Sequence, residues 1–279
     1  MKNKTKRDLA LIVSDVRCSA ACVYTQNLVK GAPITVTKRH VADGYAQAIV
    51  CNSGNANTCN ANGEEIAEGM CGLVSDKTGI PAEDVVVAST GVIGQPLSLE
   101  PIAAGMDELV KGLGDNSLFA AQGIMTTDTV DKQIAYTFTL GGKECKIGAI
   151  GKGVGMINPN MATMLIFITT DVSISPAMLQ KALSADVKDS FNMVSVDGDT
   201  STNDMVCVLA NGLAGNDCIE ENGKDYLIFR KALNKVTTNL CRRIAKDGEG
   251  ATKLLECKVS GAKSKSAAKL IAKSIIKSS

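Results

Sequence analysis

The chain has 279 residues, 45% of them hydrophobic and 21% charged, with a net charge of +1. This composition describes a globule with one large domain or two small ones, and excludes a disordered chain. A near-neutral balance and an aromatic content of 3% without tryptophan exclude the basic field and the stacking platforms of a nucleic-acid binder.

In chain order, Asp8–Val13 is expected to form a buried strand, and Pro33–Thr37 alternates as a half-exposed strand does. Gln47–Cys51 is a further apolar run that ends in the polar turn Asn52–Asn57. A helix is predicted from Glu64 to Lys77, with Ile66, Met70 and Leu73 on one face, and Gly79 and Pro81 stop it. Val85–Ala88 reads as a short buried strand running into Ser89-Thr90-Gly91, and Leu97–Leu113 as a helix closed by Gly114. Thr137–Leu140 and Cys145–Gly148 flank Gly141-Gly142, a pair that permits the positive φ values of a tight hairpin. Met164–Thr169 is the next strand, and Ser175-Pro176 opens a helix reaching Phe191. Asp204–Ala210 reads as a strand, Tyr226–Lys246 as a long helix and Leu254–Ser260 as strand-like. A last amphipathic helix begins at Ser264. The seven lysines and one acid from Ala251 onward suit a solvated helix face.

No apolar run approaches the ~18 residues of a membrane span, and Leu9–Val13 is too short for a signal-peptide core. A cytoplasmic protein is expected. The ten cysteines include no Cys-x-x-Cys, and His40 is the only histidine. Buried reduced thiols are the favoured reading and no metal site is expected. The lone histidine also removes most Ser-His and Cys-His chemistry. Gly148–Gly155 lacks the Gly-Lys-Ser/Thr ending of a phosphate loop, and Gly-x-Ser-x-Gly is absent.

One segment, Gly151–Leu165, carries a lysine in a glycine-rich turn, then a proline-bearing loop, then a threonine at the mouth of an apolar strand. By itself that threonine is more readily a β-branched strand start than a nucleophile. The wider sequence changes the balance. Asp8–Asp15, Ala48–Asn57, Ser89–Gly94, Met125–Thr129, Gly151–Leu165, Asp197–Asp204 and Asp247–Lys253 follow one another in an order that resembles the ornithine acetyltransferase family, the glutamate N-acetyltransferases of arginine biosynthesis.

The resemblance implies an α/β fold, an aminopeptidase-like αββα sandwich with helices outside two packed sheets and an N-terminal threonine nucleophile. It implies a precursor that cuts itself at Ala162-Thr163, giving residues 1–162 as the α segment and 163–279 as the β segment of one intertwined catalytic domain. Thr163 is then the acyl acceptor, taking an acetyl group from N-acetylornithine and passing it to glutamate. Thr90 and Gly91 match the oxyanion position, and Thr126, Lys152, Thr163 and Glu249 match substrate-binding positions. A lysine suits a carboxylate, a glutamate an ammonium group, and a threonine a neutral hydrogen bond. No tightly bound cofactor is implied, and acetyl-CoA stays open as a co-substrate. The partners implied are these small molecules and a second αβ unit, giving a heterotetramer of paired αβ heterodimers. The family's further C-terminal segment, with an asparagine and a threonine that contact substrate, falls beyond residue 279, so the chain reads as C-terminally truncated. Two other readings stay open: an N-terminal-nucleophile aminopeptidase or amidohydrolase of the same fold, and an inactive fragment that only associates with a partner.

Overall fold

The computed structural model describes residues 6–156, 164–197 and 199–278. Its strands are β1 (Leu9–Tyr24), β2 (Tyr45–Asn52), β3 (Val85–Ser89), β4 (Lys132–Leu140), β5 (Lys143–Lys152), β6 (Leu165–Thr170) and β7 (Met205–Ala210). They join in one mixed sheet of order β3-β2-β1-β7-β6-β5-β4. The β2–β3 and β6–β7 pairs are parallel and the others antiparallel.

The expected α/β fold holds, with its two halves hydrogen-bonded into one continuous seven-stranded order. β1 is the reason. It runs on well beyond Val13, and its register with β2 jumps between Val13 and Cys18. Such a bulge bends and twists a strand. The first half of β1 therefore pairs with β2, while Ser19–Tyr24 turns to pair with β7. One long strand belongs to both halves of the sheet.

The helices are α1 (Ala32–His40), α2 (Gly63–Thr78), α3 (Glu100–Lys111), α4 (Ser117–Gly123), α5 (Pro176–Val187), α6 (Lys224–Lys246) and α7 (Lys265–Ile276). Met70 and Val74 of α2 and Ile102 and Met106 of α3 pack on Val50, Val85 and Val87. Leu179 and Leu183 of α5 and Phe229, Leu233 and Leu240 of α6 pack on Ile147, Ile166, Ile168 and Val208. Ala121 and Ile124 belong to a central cluster with Ile49, Phe167 and Leu209. Cys18, Cys22, Cys51, Cys71, Cys145, Cys207 and Cys241 are buried and unbridged, as small apolar side chains are. Among the described residues no helix is long and apolar enough to cross a membrane.

Most elements match their sequence signals. α2 ends at Gly79 in the left-handed conformation, and Ser175 and Ser264 accept N–H bonds from Met178 and Ala267 as the N-caps of α5 and α7. Gly141 and Gly142 both have positive φ between β4 and β5. Four readings change. α5 stops at Val187 rather than reaching Phe191. Leu254–Ser260 pairs with no strand. α3 is shorter than Leu97–Leu113, ending at Gly112, and the short α4 had no sequence signal. Pro33–Thr37 is helical, with Pro33 in the first turn.

That helix has a structural task. β3 is the sheet edge, and α1 lies against it. Thr37 is wholly buried; its Oγ1 donates to Val87 O at 2.7 Å and accepts from Val87 N at 2.9 Å. His40 Nδ1 lies 2.9 Å from Val85 O and Nε2 lies 3.1 Å from Glu68. The only histidine thus helps cover an edge whose backbone groups would otherwise lack partners. Thr37→Val, which keeps the shape and removes the hydroxyl, should strand both groups of Val87 and cost about 1–3 kcal/mol of stability, read by denaturant unfolding.

Candidate active site

The residues that match the family's motif gather at the C-terminal end of β5. β3 delivers Thr90, which is buried, with its N–H donating to Asn52 O at 2.9 Å. Gly91 follows at φ +122°, and a Cβ there would meet the Gly54 carbonyl at 2.9 Å. Only glycine fits that approach. Gly91 is itself exposed, so the turn presents its surface outward from a buried strand.

Lys152, the last residue of β5, is 2% exposed. Its Nζ lies 3.5 Å from Thr90 Oγ1, the outer limit of a hydrogen bond. Burial pushes its ammonium below the ordinary lysine range, against the opposing charges of Asp128 and Asp204. Lys152 is not the solvated loop charge that the sequence alone allowed.

Asp128 knits the next segments together. Its Oδ2 accepts the Thr126 N–H at 3.1 Å, and its Oδ1 accepts the Gly153 N–H at 2.8 Å and Lys132 Nζ at 2.8 Å. Lys132 is wholly buried and reaches Asp247 as well, at 2.6 Å. Asp247 also accepts the Thr129 N–H and hydroxyl. Burial opposes ionisation of both acids. Lys152 and Lys132 nonetheless hold Asp128 below the usual carboxylate range, and Lys132 with Thr129 does the same for Asp247.

Glu249 stands two residues past Asp247. Its N–H donates to Val154 O at 2.6 Å, and a Cβ on Gly155 would lie 2.7 Å from Glu249 Oε2. The exposed Glu249 carboxylate therefore borders the 153–155 turn, where Asp197 accepts the Met156 N–H.

β6 runs antiparallel to β5, with Leu165 opposite Lys152. Met164, just before it, is buried and donates its N–H to Asp204 Oδ1 at 2.9 Å. Ala162 and Thr163, the expected scission pair, lie outside the described residues. The structure thus joins Thr90, Lys152, Thr126 and Glu249 through one network, and Lys152 is paired with the strand that follows residue 163.

A groove of about 1040 Å³ lies between the first half of β1, α3, α4 and β4–β6. It is lined by Leu11, Ile12, Phe119, Ile134, Ile150 and Phe167 among others and includes none of the residues above. Size alone would mislead, because the clustered titratable groups lie elsewhere.

The ArgJ family profile matches residues 1–279. The chain belongs to the ArgJ family. The arginine biosynthesis bifunctional protein ArgJ of Symbiobacterium thermophilum is 49% identical over 97% of this chain and 68% of its own length. The crystal structure of the ArgJ protein from Bacillus halodurans is 38% identical, with a TM-score of 0.52 over 57% of this chain and 85% of that one. The PH0078 protein of Pyrococcus horikoshii, 11% identical, shares the fold, with a TM-score of 0.53 over 88% of this chain and 79% of its own.

Sequence reading missed Asp128, Lys132, Asp204 and Asp247. Three of them stand inside motif blocks already singled out, so the signal was a buried-acid motif beside each named residue. Lys132 had none, because nothing local marks a lysine that will be buried.

Proposed function

We propose that this chain is a self-processing acyltransferase that moves an acetyl group from N-acetylornithine to glutamate through an acetyl ester on Thr163. The observation that supports it best is the convergence of Thr90-Gly91, Thr126, Lys152 and Glu249 on the end of β5, beside the strand that follows residue 163 in sequence, in a chain of the ArgJ family. The Thr163 hydroxyl attacks the Ala162 carbonyl and displaces its own amide nitrogen. Water opens the resulting ester. The freed α-amine, with an ordinary pKa of ~7.7–8.0, serves as the local base. A histidine is not required, and the only one in the chain is committed to the sheet edge.

In each half-reaction negative charge develops on the acetyl oxygen, and the Thr90 hydroxyl and Gly91 N–H receive it. A protonated Lys152 has donors only. Thr90 Oγ1 accepts from it and keeps its own hydrogen free to donate. Glu249, exposed at the turn, suits the ammonium of the amino-acid substrate. Lys152 supplies positive potential for a carboxylate, and Thr126 a neutral contact.

The reading extends to a cytoplasmic enzyme of paired αβ units, with acetyl-CoA as a second acetyl donor. Light scattering of the processed protein and an assay with acetyl-CoA and glutamate test these two points.

The central test is trapping. Acetyl-labelled N-acetylornithine should leave label on the peptide that begins at Thr163, and glutamate should discharge it as N-acetylglutamate. Label found elsewhere, or discharge by water as fast as by glutamate, would overturn the proposal. Gly91→Ala should push the turn off Gly54 and lower transfer by about 10²–10³-fold, the loss expected for one oxyanion donor, measured as kcat on the processed enzyme.

A further inference from the structure

Asn203 is 6% exposed and has no part in the mechanism above. An amide side chain has two N–H donors and two lone pairs on its oxygen, and here all four are used. Its Nδ2 donates to Ser89 O at 2.9 Å and to Ala56 O at 2.6 Å. Its Oδ1 accepts the hydroxyls of Thr58, at 2.6 Å, and of Thr202. Two carbonyls on one side and two hydroxyls on the other fix which way the amide faces. The Asn203 N–H donates to Ser201 Oγ at 3.1 Å, and a Cβ on Gly31 would lie 2.5 Å from Nδ2, so the side chain has little room to shift.

The two carbonyls bracket the Thr90-Gly91 turn. Ser89 O and the Thr90 N–H belong to one peptide group; Asn203 holds the first and Asn52 O the second. On the far side, Val92 O accepts the Ala56 N–H at 2.8 Å, and Ala56 O is the other partner of Asn203. Between these clamps stands Gly91 at φ +122°, a residue whose backbone is free unless its neighbours hold it. The next residue, Asp204, fixes the Met164 N–H at 2.9 Å, so one short segment references the turn to the start of β6.

We propose that Asn203 is a positioning residue for acyl transfer: one amide group fixes the backbone on both sides of Thr90-Gly91 and so aims the Thr90 hydroxyl and the Gly91 N–H at the developing oxyanion. This rests on the acyl-transfer reading above. Donors aimed in advance need no reorganisation as charge appears, and a displacement of about 1 Å costs ~10²-fold in rate. Asn203 hydrogen-bonds to none of Thr126, Lys152 and Glu249, so its loss falls on the chemical step rather than on substrate binding.

Asn203→Leu keeps the branching and neutrality of the side chain but offers no donor or acceptor. In the processed enzyme kcat for transfer from N-acetylornithine to glutamate should fall about 10²-fold, with both KM values within about twofold of the parent's. Hydrogen exchange read on peptides should quicken over residues 89–94 and stay unchanged in α6. In a Gly91→Ala background, where the turn is already displaced, the same substitution should cost no more than about threefold, because residues that act through one another are not additive. Unchanged kcat, a loss carried by KM, or an equal loss in both backgrounds would overturn the proposal. If Asn203→Leu does not fold or is not cut, Thr58→Val decides. It removes one hydroxyl that orients the amide and should lower kcat about threefold or more at constant KM; an unchanged kcat there overturns the proposal. A parent that transfers no acetyl group overturns this inference and the acyl-transfer reading together; an active parent with insensitive variants overturns this inference alone.

Discussion

Thr163→Ala is expected to leave the chain whole by intact mass and to abolish acetyl transfer, while the parent separates into residues 1–162 and 163–279. The alanine removes the single atom on which both events depend. Without the hydroxyl no ester forms with Ala162, so no amine is freed to act as base. Without the same hydroxyl the acetyl group has no covalent carrier. Deleting a covalent nucleophile elsewhere costs roughly 10⁶-fold in kcat, and here processing is lost as well. Packing should survive, because the strand that follows is anchored independently: Met164 is buried, its N–H is held by Asp204, and its carbonyl accepts the Met205 N–H at 3.1 Å. Thr163→Ser keeps the hydroxyl and should still yield two chains. A Thr163→Ala protein that is cut, or that transfers at the parent rate, would show that another residue carries the acyl group.

Lys132→Met should produce the largest loss of stability. The lysine is wholly buried between Asp128 and Asp247, at 2.8 and 2.6 Å. Methionine fills similar volume but leaves two acids without their shared cation. Breaking a buried pair typically costs about 3–5 kcal/mol, because an uncompensated charge remains. The penalty should depend on pH. In the parent both acids are held below their usual range. Their contribution is present above the unfolded pKa of ~3.9 and is lost as pH falls through the folded values. In the variant the same acids rise above that range, so their penalty is fully present at neutral pH and fades as acid protonates them. The two stability curves should converge toward pH ~4, measured by urea unfolding across pH. Activity should also fall. Asp128 holds the Thr126 and Gly153 amides, and Asp247 lies two residues from Glu249, so loosening both acids displaces three segments of the proposed site at once. Curves that stay parallel down to acid pH would show that the lysine stabilises through packing alone.

How much of this was legible depended on the range of the interaction. α2, α5, α6 and α7 could be read because their stop and start signals are local: Gly79 after Thr78, Ser175 before Pro176, Ser264 before Lys265. The β4–β5 hairpin was legible from Gly141-Gly142 for the same reason. Pro33–Thr37 was misread because its β-branched residues alternate as in a strand. The side chains that decided otherwise, Ile34, Val36 and Thr37, are buried against β3 and the neighbouring core, and local propensity yields to such packing. The extended Leu254–Ser260 shows the reverse: strand-like residues form no strand when no partner edge is offered.

The sequence by itself determined the family and through it the α/β class, and it marked positions 90, 91, 126, 152 and 249 as candidates, because these rest on residue identity and order along the chain. Only the tertiary structure decided that Lys132 would neutralise Asp247, 115 residues away, that Lys152 would be buried against Thr90, and that Asp204 would hold the amide after residue 163. Burial and charge pairing arise from proximity in space, and proximity exists only once the bulged β1 has joined the two halves of the sheet and brought β5 and β6 beside the turn that ends β3.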